Sequence, residues 1–252
     1  MTYPEFKREC DSQIEAQGSD PALLDASSKW FSLANSHGYS YHFECLGRPL
    51  IQYPQDIVQV QELIFNVAPT LIVETGIAHG GSLVMSAALL CLLDIMEGLD
   101  PKQSPRKVVG VDIDIRSHNL KALDEHPLRY KMELIEGSSV DPQIVQKVRD
   151  YAEGIDRVMV SLDSNHTHQH VLDELNAYAD LVSVGSYCIV FDTVIEDLPK
   201  GSFPDRPWDV GNNPKTAVFE WLKSHPNYTI DEQIDRKLLI SVAPCGYLKR
   251  IK

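Results

Sequence analysis

Short apolar runs alternate along most of the chain with longer segments whose apolar residues recur at every third or fourth position. The short runs predict buried strands, and the longer segments predict helices. The predicted strands are 71–74, 107–114, 131–135, 157–163, 186–192, 228–230 and 237–242. The predicted helices are 56–66, 83–93, 117–125, 142–153, 168–181 and 215–225. This alternation predicts an α/β fold with a doubly wound, mostly parallel sheet.

The chain before residue 55 carries two further predicted helices, 4–17 and 20–35. Asp20 and Pro21 are typical of a helix start, as the cap and the first-turn residue. Neither helix can bury a core alone, so we expect residues 1–54 to form an N-terminal helical extension and residues 55–252 to form the α/β domain. An extension that cannot bury its own face favours a homo-oligomer.

Residues 37–54 are rich in aromatic and turn-forming side chains. They predict an extended arm that packs on the main domain, at a subunit interface or over the active site. A surface connector with incidental aromatic residues is the alternative.

The segment 71–82 reads as a strand, a glycine turn and the start of an apolar helix. Gly76, Gly80 and Gly81 let a ligand approach the backbone at the helix N-terminus. Their spacing, G-x-x-x-G-G, differs from the G-x-G-x-x-G pattern of pyrophosphate binding, and Glu74 would repel phosphate oxygens. The turn therefore favours a ligand with ribose, adenine and a cationic amino acid end, such as S-adenosylmethionine. A tight turn without a ligand is the alternative.

Acidic residues follow the predicted strands, and in a parallel sheet all these strand ends meet at one edge. Asp112 or Asp114 is a natural ligand for ribose hydroxyls. Asp163 and Asp192 form an oxygen-rich site suited to Mg²⁺ or Ca²⁺. Without a metal, Asp163 or His166 is a candidate general base, and Asp163 can also be a structural cap of the next helix. The acids at this edge are Glu74, Asp112, Asp114, Glu136, Asp163 and Asp192.

Three histidines occur at alternate positions from 166 to 170. On a helix, His166 and His170 share one face, so with Asp163 they can imitate the two-histidine, one-carboxylate set of non-haem iron oxygenases. His168 points elsewhere and is expected to be solvated.

Composition excludes several classes of protein. A chain of 252 residues is long enough for one sizeable core. The net charge of -13, from 23 Lys+Arg and 36 Asp+Glu, opposes binding to nucleic acid. Five scattered cysteines, none in a C-x-x-C pair, favour a reduced cytoplasmic protein. No N-terminal signal region is present, and no apolar stretch reaches the roughly 20 residues of a membrane span, so we expect a soluble protein.

Several motifs occur in a fixed order between about Tyr53 and Lys252. They are Glu-Thr-Gly-Ile-Ala-His-Gly-Gly-Ser (74–82), Gly-Val-Asp-Ile-Asp (110–114), Glu-Gly-Ser-Ser (136–139), Leu-Asp-Ser-Asn-His (162–166) with His-Val-Leu-Asp-Glu-Leu (170–175), and Gly-Tyr-Leu-Lys-Arg (246–250). This set resembles the cephalosporin hydroxylase family, which includes rhamnosyl O-methyltransferases. The resemblance implies a class I methyltransferase fold, which is Rossmann-like, with S-adenosylmethionine and a divalent metal, Mg²⁺, as cofactors.

The resemblance also implies roles for individual residues. It places cofactor contacts at Glu74, Gly76, His79, Gly80, Ser82, Asp112, Asp114, Gly137, Ser138 and Asp163, and metal-binding carboxylates at Asp163 and Asp192. The residue before Asp192 is often acidic in the family. Here it is Phe191, which puts the metal site in doubt.

The expected function is methyl transfer from S-adenosylmethionine to a hydroxyl of a sugar or glycosylated natural product. A divalent metal would lower the pKa of that hydroxyl, and Asp163 and His166 are the catalytic candidates. Two alternatives remain, an oxygenase or oxidoreductase and a non-catalytic subunit that holds the cofactor for a partner hydroxylase; Phe191 favours the second. The loop 199–214, with Trp208 and Lys215 nearby, is expected to shape the acceptor pocket.

Overall fold

A seven-stranded sheet forms the centre of the structure, a computed structural model that describes residues 1–252. The strands of the chain are β1 (Phe43–Cys45), β2 (Arg48–Leu50), β3 (Leu71–Thr75), β4 (Lys107–Asp112), β5 (Met132–Glu136), β6 (Val158–Leu162), β7 (Tyr187–Val190), β8 (Tyr228–Ile230) and β9 (Tyr247–Arg250). The helices are α1 (Tyr3–Gly18), α2 (Pro21–Asn35), α3 (Pro54–Val67), α4 (Gly81–Met96), α5 (Ser117–Asp124), α6 (Pro142–Ala152), α7 (His168–Tyr178), α8 (Pro214–Leu222) and α9 (Glu232–Leu238).

The sheet has the strand order β5-β4-β3-β6-β7-β9-β8. The first five strands in this order are parallel, and β9 runs antiparallel to both of its neighbours. All residues of β3, β6 and β7 are buried, as expected for parallel strands covered on both faces. After β5 the chain returns to β6 on the other side of β3, so the strand order reverses between β3 and β6, and the carboxyl ends of these two strands lie at the predicted ligand edge. The predicted doubly wound, mostly parallel α/β fold is confirmed.

One strand prediction is wrong. Residues 237–242 do not form a strand, because Lys237 and Leu238 end α9 and Leu239 has a φ of 59°. The apolar residues Ile234 and Leu238 face the core four positions apart, which is helical spacing. The last strand is instead β9. A Cβ atom at Gly246 would lie 2.1 Å from the carbonyl oxygen of Val190, so glycine at this position lets the final segment approach β7.

The two N-terminal helices are confirmed. Asp20 caps α2, since its Oδ1 accepts hydrogen bonds from the backbone N–H groups of Ala22 and Leu23 at 2.9 and 3.3 Å. α1 lies along α9, where Nε2 of Gln17 donates to the carbonyl groups of Arg236 and Lys237. The predicted arm that follows α2 contains a 3-10 turn and the hairpin β1–β2, which packs against α4.

A buried ion cluster lies at the C-terminal end of α4. Asp94 is fully buried and accepts hydrogen bonds from Lys131 Nζ at 2.6 Å and from Arg106 Nη1 at 2.7 Å. Lys131 and Arg106 are 1% and 3% exposed, so neither cation can find a substitute partner in water.

No helix in the chain combines the length and the apolar character that a membrane crossing requires.

Candidate active site

The turn between β3 and α4 has an unusual backbone. Gly76, Ala78 and Gly80 have φ angles of 88°, 46° and 82°, all in the left-handed region. Oδ2 of Asp112, at the end of β4, accepts hydrogen bonds from the backbone N–H groups of Ile77 and Ala78 at 2.8 and 3.1 Å. These two amides are therefore already bonded to a carboxylate of the protein. A phosphate placed beside them would be repelled by Asp112.

The turn also touches the end of β6. A Cβ atom at Gly76 would lie 2.0 Å from the carbonyl oxygen of Asp163, so only glycine fits between these two loops. The side chain of His79 is half-buried, and Gly80 packs over Leu123 of α5. The predicted cofactor turn and the predicted metal residue Asp163 are thus direct neighbours.

Glu74 lies below the turn with only 4% of its surface exposed. Burial raises the pKa of Glu74 to about 7, although a hydrogen bond from the Ser82 hydroxyl partly opposes the rise. Both side chains line a cavity of about 30 Å³, together with Gln52 and Asp163. A buried acid with no cation beside it agrees with the predicted preference for a cationic ligand group.

Asp163, His166 and Asp192 each offer a donor atom, and the three atoms lie within 4.8 Å of one another. Nε2 of His166 is 3.0 Å from Oδ2 of Asp192. Burial raises the pKa of Asp163 well above its usual range, and the nearby carboxylates of Asp192 and Glu74 add to the rise. Asp192 itself has a φ of 55°, a conformation that costs energy for a non-glycine residue and often marks a functional position.

Phe191 takes no part in this group of donors. Its side chain is 5% exposed and packs in the hydrophobic core. The third donor comes from His166, which follows β6, in place of an acid before Asp192. His166 also contacts the loop 199–214, since its ring lies 4.6 Å from that of Trp208 at an interplanar angle of 80°.

The remaining predicted residues lie around the end of β4. The backbone N–H of Gly137 donates to the carbonyl of Asp112 at 2.8 Å, and Gly137 and Ser138 are half-buried beside it. Asp114 lies beyond the end of β4 and is exposed; its backbone N–H donates to Oδ1 of Asp112. Asp112 is therefore better placed than Asp114 to meet a ligand held by the turn.

Three expectations about the histidine run are wrong. His166 precedes α7, which begins at His168, so His166 and His170 do not share a helical face. His170 bonds instead to the hydroxyl groups of Ser139 and Ser164, both at 3.1 Å, and lies outside the group of donor atoms that Asp163 forms with His166 and Asp192. His168 is not simply solvated, because its Nδ1 lies 2.8 Å from Oγ1 of Thr216.

The alternative that Asp163 caps the next helix is also wrong. The residue at the N-cap of α7 is Thr167, and the Asp163 side chain is engaged elsewhere. This leaves Asp163 free for a role in the site.

Sequence reasoning missed residues from the N-terminal arm. Nε2 of Gln52 donates a 3.0 Å hydrogen bond to Oδ2 of Asp163. Gln52 is 7% exposed, and its Oε1 is buried without a hydrogen-bond partner. No periodicity distinguishes it, and the only signal was the expectation that the arm lies over the active site.

Comparison with known proteins agrees with this geometry. The sequence profile of the family described as rhamnosyl O-methyltransferase/CmcI matches residues 37–251. A rhamnosyl O-methyltransferase of Mycobacterium tuberculosis (strain ATCC 25618 / H37Rv) is 32% identical over 200 residues, which are 77% of this chain and 73% of that protein. The rhamnosyl O-methyltransferase of Mycobacterium leprae (strain TN) is 27% identical over 207 residues, which are 81% of this chain and 82% of that protein.

Among solved structures, CmcI with Mg and SAM matches with a TM-score of 0.56 and 17% sequence identity. The match covers 84% of this chain and 78% of that chain. This similarity confirms the predicted Rossmann-like methyltransferase fold. The chain belongs to the rhamnosyl O-methyltransferase/CmcI family.

Proposed function

We propose that this protein is an S-adenosylmethionine-dependent O-methyltransferase that acts on a sugar hydroxyl and uses a divalent metal. The observation that carries the proposal is the contact between the turn 76–82 and the donor group of Asp163, His166 and Asp192. A methyl donor held by the turn would lie beside an acceptor held by the donor group. The names of the family and of the mycobacterial relatives support a sugar as the acceptor.

The turn suits a sulfonium nucleoside better than a dinucleotide. Its amides face Asp112, and Glu74 lies buried below it with a raised pKa. Both carboxyl groups disfavour the phosphates of a nicotinamide cofactor, whereas a carboxylate at the end of the second parallel strand is a usual partner for ribose hydroxyls. The proposed cofactor contacts are Glu74, Gly76, His79, Gly80, Ser82, Asp112, Asp114, Gly137, Ser138 and Asp163.

The donor group suits a hard divalent cation. Asp163 and Asp192 supply the carboxylate oxygens that suit Mg²⁺ or Mn²⁺, and His166 lies close enough to add an imidazole nitrogen, which is a softer ligand than Mg²⁺ prefers. Burial raises the pKa of Asp163, the neighbouring carboxylate of Asp192 raises it further, and a cation would relieve the repulsion between the two carboxylates. When bound, such a cation lowers the pKa of a hydroxyl group beside it.

The side chains around this site have separate roles in the proposal. Gln52 orients the Asp163 carboxylate through its 3.0 Å hydrogen bond, and Asp192 holds the ring of His166. Trp208 covers His166 on the side of the loop 199–214 and limits the access of water. The sugar hydroxyl that accepts the methyl group gives its proton to a side chain of this group, and His166 and Asp163 are the candidate bases.

Titration calorimetry with S-adenosylmethionine and with NAD tests the donor first. We expect binding of S-adenosylmethionine, and tight binding of NAD in its place would contradict the proposal. The transfer itself is measured with labelled S-adenosylmethionine and a synthetic rhamnoside in the presence of Mg²⁺. Binding of the donor without transfer to any sugar acceptor would favour a non-catalytic subunit, and turnover that survives EDTA would contradict the role of the metal.

The homo-oligomer expected from the sequence belongs to the same proposal. α1 has no buried residue, and Tyr3 and Phe6 on this helix are 77% and 53% exposed. Sedimentation velocity measures the assembly state directly, and a single monomeric species would contradict this part.

A further inference from the structure

The hairpin β1–β2 contacts the cofactor turn through Arg48. Nε of Arg48 donates a 2.8 Å hydrogen bond to the carbonyl of His79, and Nη2 donates to Oδ1 of Asn119 at 2.8 Å. The side-chain amide of Asn119, which is 2% exposed, donates to the carbonyl of Ala78 at 2.8 Å. Two consecutive carbonyl groups of the turn are thus held by one linked pair of side chains.

The backbone of the turn needs such support. Ala78 has a φ of 46°, between Gly76 at 88° and Gly80 at 82°. A residue with a Cβ atom is disfavoured in the left-handed region, and it stays there only when its surroundings fix it. Asp112 fixes the amide side of the turn. Arg48 and Asn119 fix the carbonyl side.

The contacts of Arg48 are not those of a surface ion pair. It is half-buried, and its hydrogen bonds go to a backbone carbonyl and an amide oxygen. A guanidinium that is partly removed from water without a carboxylate partner loses solvation that these neutral acceptors only partly replace. Its position is therefore better explained by the turn than by general stability.

We propose that Arg48 and Asn119 are positioning residues that hold the turn in the conformation that accepts the methyl donor. The inference rests on the proposed function and extends that site to the N-terminal hairpin and α5. Neither residue touches the reacting atoms. When the pair is broken, Ala78 can leave the left-handed region, and the donor must then reorder the turn as it binds. Its affinity falls by the fraction of molecules that retain the competent turn.

The test compares Arg48→Met and Asn119→Ser with the unchanged protein. Titration calorimetry gives the Kd of S-adenosylmethionine, and electron paramagnetic resonance gives the Kd of Mn²⁺. We expect the Kd of S-adenosylmethionine to rise about tenfold to a hundredfold, because a hydrogen bond from a charged group is lost. The Kd of Mn²⁺ should not change, since neither residue contacts Asp163, His166 or Asp192.

Three further variants sharpen the result. Lys121→Met removes a cation from the exposed face of α5 and should leave both constants unchanged. Arg48→Lys keeps the charge without the fork that bridges two acceptors, so it should restore binding only in part and guards against a folding defect. The double variant should bind no more weakly than the weaker single variant, because both break one linked unit.

Two results would overturn the inference. One is an unchanged Kd of S-adenosylmethionine in both single variants. The other is an equal weakening of S-adenosylmethionine and Mn²⁺ binding, which indicates general loss of structure. If the unchanged protein does not bind S-adenosylmethionine, the proposed function fails and the inference fails with it. If the unchanged protein binds S-adenosylmethionine and both single variants bind it equally well, only the inference fails.

Discussion

Gln52 donates a 3.0 Å hydrogen bond to the carboxylate of Asp163, across 111 positions of sequence. The bond joins the N-terminal arm to the end of β6. It fixes one oxygen of Asp163 in a pocket that also contains Glu74 and Asp56. The arm is therefore part of the proposed active site and not only a cover over it.

Replacing Gln52 by leucine should lower turnover strongly and lower the free energy of unfolding only slightly. Without the amide, the Asp163 carboxylate loses its only side-chain donor and can rotate away from His166 and Asp192. We expect kcat to fall about tenfold to a hundredfold, the range seen when a partner of a metal ligand is lost. Labelled methyl transfer to a rhamnoside measures the effect. Gln13→Leu on α1 is the control, and an equal loss in both variants would contradict the role of Gln52.

Asp192→Asn should weaken metal binding. The change removes one anionic donor of the Asp163, His166 and Asp192 group, so the Kd of Mn²⁺ should rise by more than the roughly tenfold to hundredfold of a residue outside the ligand set. Electron paramagnetic resonance of Mn²⁺ measures this Kd, and Asp205→Asn in the neighbouring loop is the control.

His166→Ala distinguishes a metal ligand from a general base at this position. A weaker Mn²⁺ site indicates a ligand, whereas unchanged Mn²⁺ affinity with lost turnover indicates a general base.

Glu74 should make the protein less stable as pH rises from about 4.5 to about 7. Its pKa is raised from 4.5 to about 7 in the folded protein. Below this window both states are protonated. Within it the unfolded chain ionises while the folded chain does not, so the free energy of unfolding falls by about 3 kcal/mol in total.

Glu74→Gln removes this contribution. The difference in unfolding free energy between the variant and the unchanged protein should therefore shift by about 3 kcal/mol in favour of the variant between pH 4.5 and pH 8. Urea unfolding at both pH values in EDTA measures it. Asp56, whose pKa is also raised, is present in both proteins and cancels. The pKa of Asp163, which Glu74 helps to raise, falls in the variant and adds a change of the same sign. A difference that does not depend on pH would show that Glu74 ionises normally.

Trp208→Ala should act on the acceptor and spare the methyl donor. The edge-to-face contact with His166 is worth about 0.5–1.5 kcal/mol, and its loss frees the loop 199–214 from the donor group. We expect the KM for a rhamnoside to rise while the Kd of S-adenosylmethionine stays constant. Phe219→Ala, which removes an aromatic ring from the exposed face of α8, is the control. A change in donor affinity alone would place Trp208 at the cofactor.

Asp94→Asn should destabilise the fold without changing the site. It leaves buried Lys131 without a carboxylate partner and leaves Arg106 with Glu97 alone, and breaking a buried ion pair costs about 3–5 kcal/mol. Asp25→Asn breaks an exposed pair with Lys29, where both side chains are more than half exposed, and should cost less than about 1 kcal/mol. Urea unfolding compares the two. Equal costs would mean that water reaches the buried cluster.

The sequence by itself determined the sheet and most of its edge. The alternating pattern predicted the strands that became β3 to β8. The parallel strands β3 to β7 were the clearest, because buried parallel strands are nearly continuous apolar runs. It placed the last strand at 237–242 and not at β9, because the helical spacing of Ile234 and Leu238 is short and lies in an apolar segment that also reads as a strand. Acids that follow strands meet at one edge of a parallel sheet whatever the loops do, so Asp112, Asp163 and Asp192 were found from their positions alone.

The tertiary structure decided which other side chains lie beside those acids. His166 joins Asp163 and Asp192 because α7 begins at His168, which leaves His166 in the loop between β6 and α7. Gln52 and Arg48 reach the site only because the hairpin β1–β2 packs on α4. A local pattern reports burial and backbone preference within a few residues, whereas these contacts depend on the packing of segments far apart in the chain. Spacing therefore predicted where the candidate site lies, and folding determined which side chains form it.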